Sequence, residues 1–146
     1  MQPSIEITGI EEIQAALSRL QRRVAHLQPM MAEIGNTIQN RIEQSFEESR
    51  SPFGKGWKPS KKASGKTLID SGTLSGSFVS TPTESEVSVG TNLIYAAIHH
   101  YGGRAGRGYR VTLPARPFIP ADEGQGLESG VQEEIVEMLG AWILQA

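Results

Sequence analysis

The chain has 146 residues, with 16 Asp and Glu against 14 Lys and Arg, a formal net charge of −2 and no cysteine. A single domain of this length buries roughly 70% of its unfolded surface and folds without a disulfide or metal staple, and the missing thiols exclude Cys nucleophiles, thiolate metal sites and a disulfide framework. No apolar run approaches the roughly 18 to 20 residues that span a bilayer, and Met1-Gln2-Pro3-Ser4 lacks the basic-then-apolar form of a signal peptide, so a soluble intracellular protein is expected.

Ile5 and Ile7 flank Glu6 in the period-two pattern of a short strand, which Gly9 ends. Ile10, Ile13, Leu17, Leu20, Val24 and Leu27 then lie on one helical stripe over residues 10–27, and such a stripe is expected to face the core. Pro29 disfavours helix at Gln28 and suits the first turn of a second helix, whose stripe of Ile34, Ile38, Ile42 and Phe46 runs to about Ser49. The two helices can pack as an antiparallel hairpin or run on as one kinked rod. Residues 51–66 change abruptly to Gly, Pro, Ser and Lys around Phe53 and Trp57, which reads as a long basic loop and a binding arm held by its aromatics.

Asp70 or Ser71 can cap a short helix ending near Gly76. Residues 78–81 and 86–89 read as a hairpin across Pro82 to Ser85, residues 95–101 as a short helix stopped by Gly102-Gly103, and Tyr109, Val111 and Leu113 as a third strand closed by Pro114. Leu127, Val131, Ile135, Met138 or Leu139, and Trp142 make the last helix amphipathic, with Glu128, Glu133, Glu134 and Glu137 on its other faces. The predicted class is α+β: two N-terminal amphipathic helices, a small antiparallel sheet with a short helix, and a long C-terminal helix, in one domain over residues 1–146.

Charge is segregated along this order. Residues 1–48 carry net −3, residues 49–121 carry ten basic and three acidic side chains, and residues 122–146 carry six acidic side chains and no base. A molecule so divided can bind a polyanion through its middle, or bind copies of itself, positive middle against acidic end. Lys55 to Lys66 and Arg104 to Arg116, with Trp57, Tyr101 and Tyr109 interleaved, are raw material for phosphate contacts and base stacking. The isoelectric point near 5.9 counts against a dedicated nucleic-acid domain.

Chemistry of other kinds has little support. Asp70-Ser71-Gly72-Thr73 after two apolar residues matches an aspartic protease loop over four residues only, in a chain rich in amphipathic helix, so a capping role is the better account. His99 and His100 are adjacent and point about 100° apart on a helix, which suits packing better than a shared metal. His26 belongs to no HExxH pattern, and no GxSxG elbow, P-loop or GxGxxG occurs. No cofactor and no enzymatic activity are expected.

Five segments in order resemble one family. They are Ser51-Pro52-Phe53-Gly54-Lys55-Gly56-Trp57-Lys58-Pro59, Leu68-Ile69-Asp70-Ser71-Gly72-Thr73-Leu74, Val87-Ser88-Val89-Gly90-Thr91-Asn92, Tyr95-Ala96-Ala97-Ile98-His99-His100-Tyr101-Gly102-Gly103 and Pro114-Ala115-Arg116-Pro117-Phe118-Ile119. Together they look like the phage virion morphogenesis family, the tail completion proteins of tailed bacteriophages and prophages. The resemblance implies a small α+β neck protein that forms a ring, a hexamer, completes the tail and joins it to the filled head. It implies partners in the tail tube and head-neck proteins, DNA passing through the ring, no membrane, and a place in a virion assembled in the bacterial cytoplasm. A DNA-contacting or capsid-assembly role is the alternative, and an aspartic-type hydrolase a remote one. The residues singled out for interaction are Trp57, Lys58, Tyr95, His99, Arg104, Arg107, Arg116, Phe118, Glu133 and Glu134. For Pro114 to Phe118 a rigid extended exit from the third strand competes with a contact role, since two prolines fix φ and remove two donors.

Overall fold

The structure is a computed structural model that describes residues 11–59, 67–68 and 72–144. Its class is α+β, with four α-helices, one short 3-10 helix (Arg107–Tyr109) and three small antiparallel ribbons among those residues. The expected strand at Ile5 and Ile7, and the proposed cap at Asp70 or Ser71, lie outside them.

Helix α1 (Glu11–Val24) and helix α2 (Gln28–Glu48) are separated at residues 25–27, so the rod is broken. Leu27, which precedes α2, offers no side-chain cap. Glu84 supplies one from a distant turn: its Oε2 accepts the Leu27 N–H at 2.7 Å and the Gln28 N–H at 3.3 Å. A carboxylate at a helix start meets the unpaired N–H groups and the positive end of the dipole together. At the other end Ser49 adopts a left-handed conformation, φ 51°, and turns the chain away.

The expected core role of α1 is overturned. None of its residues is buried, and Ile13 and Leu17 are 60% and 55% exposed. The 3.6-residue period reports an apolar face; it does not report what covers that face.

Helix α2 is the centre of the fold. It packs on strands β1 (Val79–Pro82) and β2 (Val87–Gly90) and on the last helix, α4 (Ser129–Leu144). Gly35 permits the approach to β1: a Cβ there would lie 2.8 Å from the Ser80 Cβ, closer than carbon atoms come. Val79 pairs with Gly90 and Pro82 with Val87, the hairpin read from the alternation, and Thr83 closes its turn by a 2.7 Å bond to the Glu86 carbonyl. The core gathers Ile42 and Phe46 of α2 with Trp57, Leu74, Phe78, Ala96 and Phe118 from the segments that follow, and Val89 of β2 packs against it.

Residues 72–77 form turns, closed by Gly76 N–H to Gly72 O at 2.9 Å, where a short helix was expected. Helix α3 (Ala96–Tyr101) ends as expected at Gly102, φ 74°, where a Cβ would meet the Ala115 nitrogen at 2.7 Å. The third strand then has a partner that alternation did not reveal. β3 (Gly103–Ala105) pairs with β4 (Val111–Leu113), and Tyr109 lies in the tip at φ 55° instead of in the strand. A two-residue ribbon, β5 (Ala121–Asp122) with β6 (Gly126–Leu127), takes Leu127 out of the last helix.

Glu128 is likewise not a face residue of α4. Its two oxygens accept the N–H groups of Gly130 and Val131, both at 3.0 Å, and Oε2 meets Arg41 at 3.4 Å. Burial opposes its ionisation, but those two N–H bonds and the Arg41 guanidinium outweigh it and hold its carboxyl below the ordinary value.

Candidate functional site

The basic arm begins as an ordered part of the domain, not as a loose loop. Arg50 and Gly56 form a β-bridge, Ser51 N–H reaches Lys55 O at 2.7 Å, and Trp57 N–H reaches Ser49 O at 2.8 Å. Trp57 turns inward, edge-on to Phe46 with ring centroids 5.5 Å apart, and its indole Nε1 donates to the Pro117 carbonyl at 2.8 Å. Arg116 is buried and donates from Nε to the Lys58 carbonyl at 2.9 Å and from Nη2 to the Pro59 carbonyl at 3.3 Å. Residues 51–59 of the arm are thus tied into the domain, while residues 60–66 lie outside the described residues. Composition marked a polar segment, but one aromatic and three long-range hydrogen bonds offset the cost of ordering it.

Phe118 is the hub of this region. At 1% exposure it stacks on Phe46 at 5.1 Å and meets the edges of Phe78 and His100 at 5.4 and 5.0 Å. Its N–H donates to His100 Nδ1 at 3.2 Å, which leaves the ring proton of the neutral imidazole on Nε2. The rigid-exit reading of Pro114 to Phe118 thus describes this segment, and Trp57, Arg116 and Phe118 face the interior of the subunit.

Burial pushes His100 below the usual imidazole value of 6.5, and burial followed by the Arg116 charge does the same to His99. His99 also lends its carbonyl to the Arg116 N–H at 2.9 Å and sits edge-on to the half-exposed Tyr95. No group of three His, Cys, Asp or Glu side chains suited to a metal occurs among the described residues. Both imidazoles take up a proton less readily in the folded chain than in the unfolded one, whose imidazoles titrate near pH 6.5. Their contribution to stability is therefore complete above that pH and is lost as the pH falls below it. Denaturant titrations at pH 7.5 and 5.5 should show a lower midpoint at 5.5, and His100→Asn should reduce that difference. An unchanged pH dependence would mean that His100 is not buried neutral. Glu128 titrates from a lower starting value, so its contribution fades at more acidic pH and does not confuse the comparison.

Trp57, Lys58, His100 and Pro117 from these segments line an open groove of about 1120 Å³. Phe53, Trp57, Tyr101, Pro114, Pro117 and Ile119 give it apolar walls, and Lys55, Lys58, Asp122 and Glu123 add both signs of charge. Ile119 was not singled out from sequence, although it stands inside a quoted motif, and Tyr101 was read there only as an aromatic for base stacking. Away from the groove, Arg104 and Arg107 are exposed on the β3–β4 tip beside Tyr109, and Glu133 and Glu134 are exposed on α4. The structure does not bring these two charged sets together: no ion pair joins them among the described residues. Of the aromatics available for base stacking, Trp57 is buried, while Tyr101 and Tyr109 are 71% and 72% exposed.

No helix among the described residues is long and apolar enough to cross a membrane. No solved structure matches the chain. The chain is 43% identical over 127 residues to the Mu-like prophage FluMu G protein 2 of Haemophilus influenzae, an alignment covering 85% of this chain and 90% of that relative. The profile of the phage virion morphogenesis family matches residues 8–144, nearly the whole length, and with it the ordered arm, the hairpin, the Tyr95 to Gly103 helix and the buried Pro114 to Phe118 exit find one explanation: the chain belongs to the phage virion morphogenesis family.

Proposed function

We propose that this protein is a tail completion and head-tail joining subunit that acts as a structural component, not an enzyme, in a homo-oligomeric ring at the virion neck. The ring is a hexamer, assembled in the bacterial cytoplasm. Its partners are its own copies, the tail tube and the head-neck proteins, and DNA passes through its lumen. The observation that carries this reading is the placement of unlike charge: Arg104, Arg107 and Arg110 exposed on one projecting tip, and Glu133, Glu134 and Glu137 exposed on α4, with no pairing between them inside the subunit. Two unlike faces on one molecule make a heterologous contact, which closes into a ring when its rotation allows. The Mu-like prophage relative agrees with a role in a phage particle.

Electron microscopy of lysates from an induced prophage lacking this protein tests the reading. Filled heads beside free, unjoined tails are expected. Intact joined particles would sink the proposal, and empty or immature heads would favour the capsid-assembly alternative. Salt-sensitive retention of DNA by the isolated protein would favour the DNA-contacting one.

A further inference from the structure

Helix α1 presents a physical problem. It is 14 residues long and buries none of them, yet helices of about that length are marginal in water unless an amphipathic face is packed. Ile13, Leu17 and Val24 lie on that face, all exposed. Its last turn touches α4 of the same chain, where Arg23 sits 4.3 Å from the Trp142 ring centroid.

Helix α4 has a complementary bare strip. Val131 faces inward, and at about 100° per residue Val136, Gly140 and Ile143 fall between about 120° and 180° round from it. Val136 is 60% exposed, Ile143 is exposed, and nothing lies within 4 Å of a Cβ built on Gly140, so another helix can approach closely there. The charges match as well. The second half of α1 carries Arg19, Arg22 and Arg23, while α4 carries Glu133, Glu134 and Glu137 and no base. At the same spacing Glu133 borders the strip beside Gly140 and Glu137 stands about 60° beyond it, while Glu134 points away from the strip.

We infer that the apolar face of α1 in one copy docks on the Val136-Gly140-Ile143 strip of α4 in the next copy. A two-fold pairing of α1 with α1 would cover the first face and leave the second bare, whereas the α1–α4 contact covers both. It is heterologous, so each copy gives one helix and receives another, as ring growth requires. This deepens the ring proposal by naming its apolar contact.

The absence of cysteine from the chain makes the test clean. Leu17 and Val136 lie near the middles of their helices, so they meet whichever way the helices run. Leu17→Cys and Val136→Cys proteins, each checked for an unchanged melt, should form a mixed disulfide when combined under mild oxidation and little product when oxidised alone. A chain with both changes should give a ladder of linked copies. Self-linked Leu17→Cys protein, a link closed within one double-variant chain, or no link at concentrations where the wild type associates would each overturn the inference. The two proposals fail separately: a 17–136 ladder in a protein dispensable for head-tail joining keeps the contact and removes the neck role, whereas 17–17 links with normal dependence of joining do the reverse.

Discussion

Phe118→Ala should lower stability by about 3 to 5 kcal/mol, the largest loss expected from any single truncation here. Phe118 touches Phe46, Phe78 and His100, so removing its ring opens a cavity between α2, the β1–β2 hairpin and α3 that none of them can collapse alone. Against a typical total of 5 to 15 kcal/mol that loss is severe, and at about 3 °C per kcal/mol the melting temperature should fall by about 10 °C or more. Trp57→Ala should be costly too, and the double variant should lose less than the sum, because both rings pack on Phe46 and share one cavity. Tyr109→Ala, on the exposed tip, should change stability by no more than about 0.5 kcal/mol. Thermal melts of the four proteins check the set; a Phe118→Ala melt within a few degrees of wild type would show that the segment after β4 is not seated in the core.

These side chains also show what the sequence made legible. The periods of α2 and α4, the alternation of β1 and β2 and the glycine stop after α3 all act within a few residues, so they could be read directly. The α1 helix was legible as a helix, but its partner was not, because an apolar stripe has the same spacing whether it meets its own core or another molecule. Residues 51–59 read as loose because Gly, Pro and Lys disfavour local order. The bonds that order them run from Trp57 to Pro117 and from Arg116 to Lys58, about 60 residues away, where no local signal reaches. β3 was missed because Gly103-Arg104-Ala105 has no alternation of its own and takes its conformation from β4. Glu128 was read as a helix-face residue since its spacing fits, yet it stands just before the helix and caps it. In the candidate site, motif matching found Trp57, Arg116 and Phe118 and then misjudged their direction. A residue that recurs in a motif can serve the fold of every subunit as well as a partner.

Charge reversal of Glu133, Glu134 and Glu137 to Lys should abolish self-association at low ionic strength while leaving the melt nearly unchanged. Glu133, Glu134 and Glu137 are exposed, and no ion pair engages them among the described residues, so each change should alter stability by no more than about 0.5 kcal/mol. The effect on assembly is large because the change turns three negative charges at every contact into three positive ones, and exposed charges act over about 10 Å at 0.1 M salt. Adding Arg104→Glu and Arg107→Glu should restore part of the association, since the swapped signs attract again. Sedimentation across a salt series separates the outcomes. If the tip instead contacts DNA, the triple variant should bind DNA more tightly, the Arg→Glu pair should lose it, and assembly should show no rescue. Equal association of wild type and triple variant at low salt would leave the ring to apolar contact alone. In that case the packing of α1 on the α4 strip would have to carry it, and Leu17→Asp, which puts a charge in the middle of that face, would then be the change that dissolves the ring.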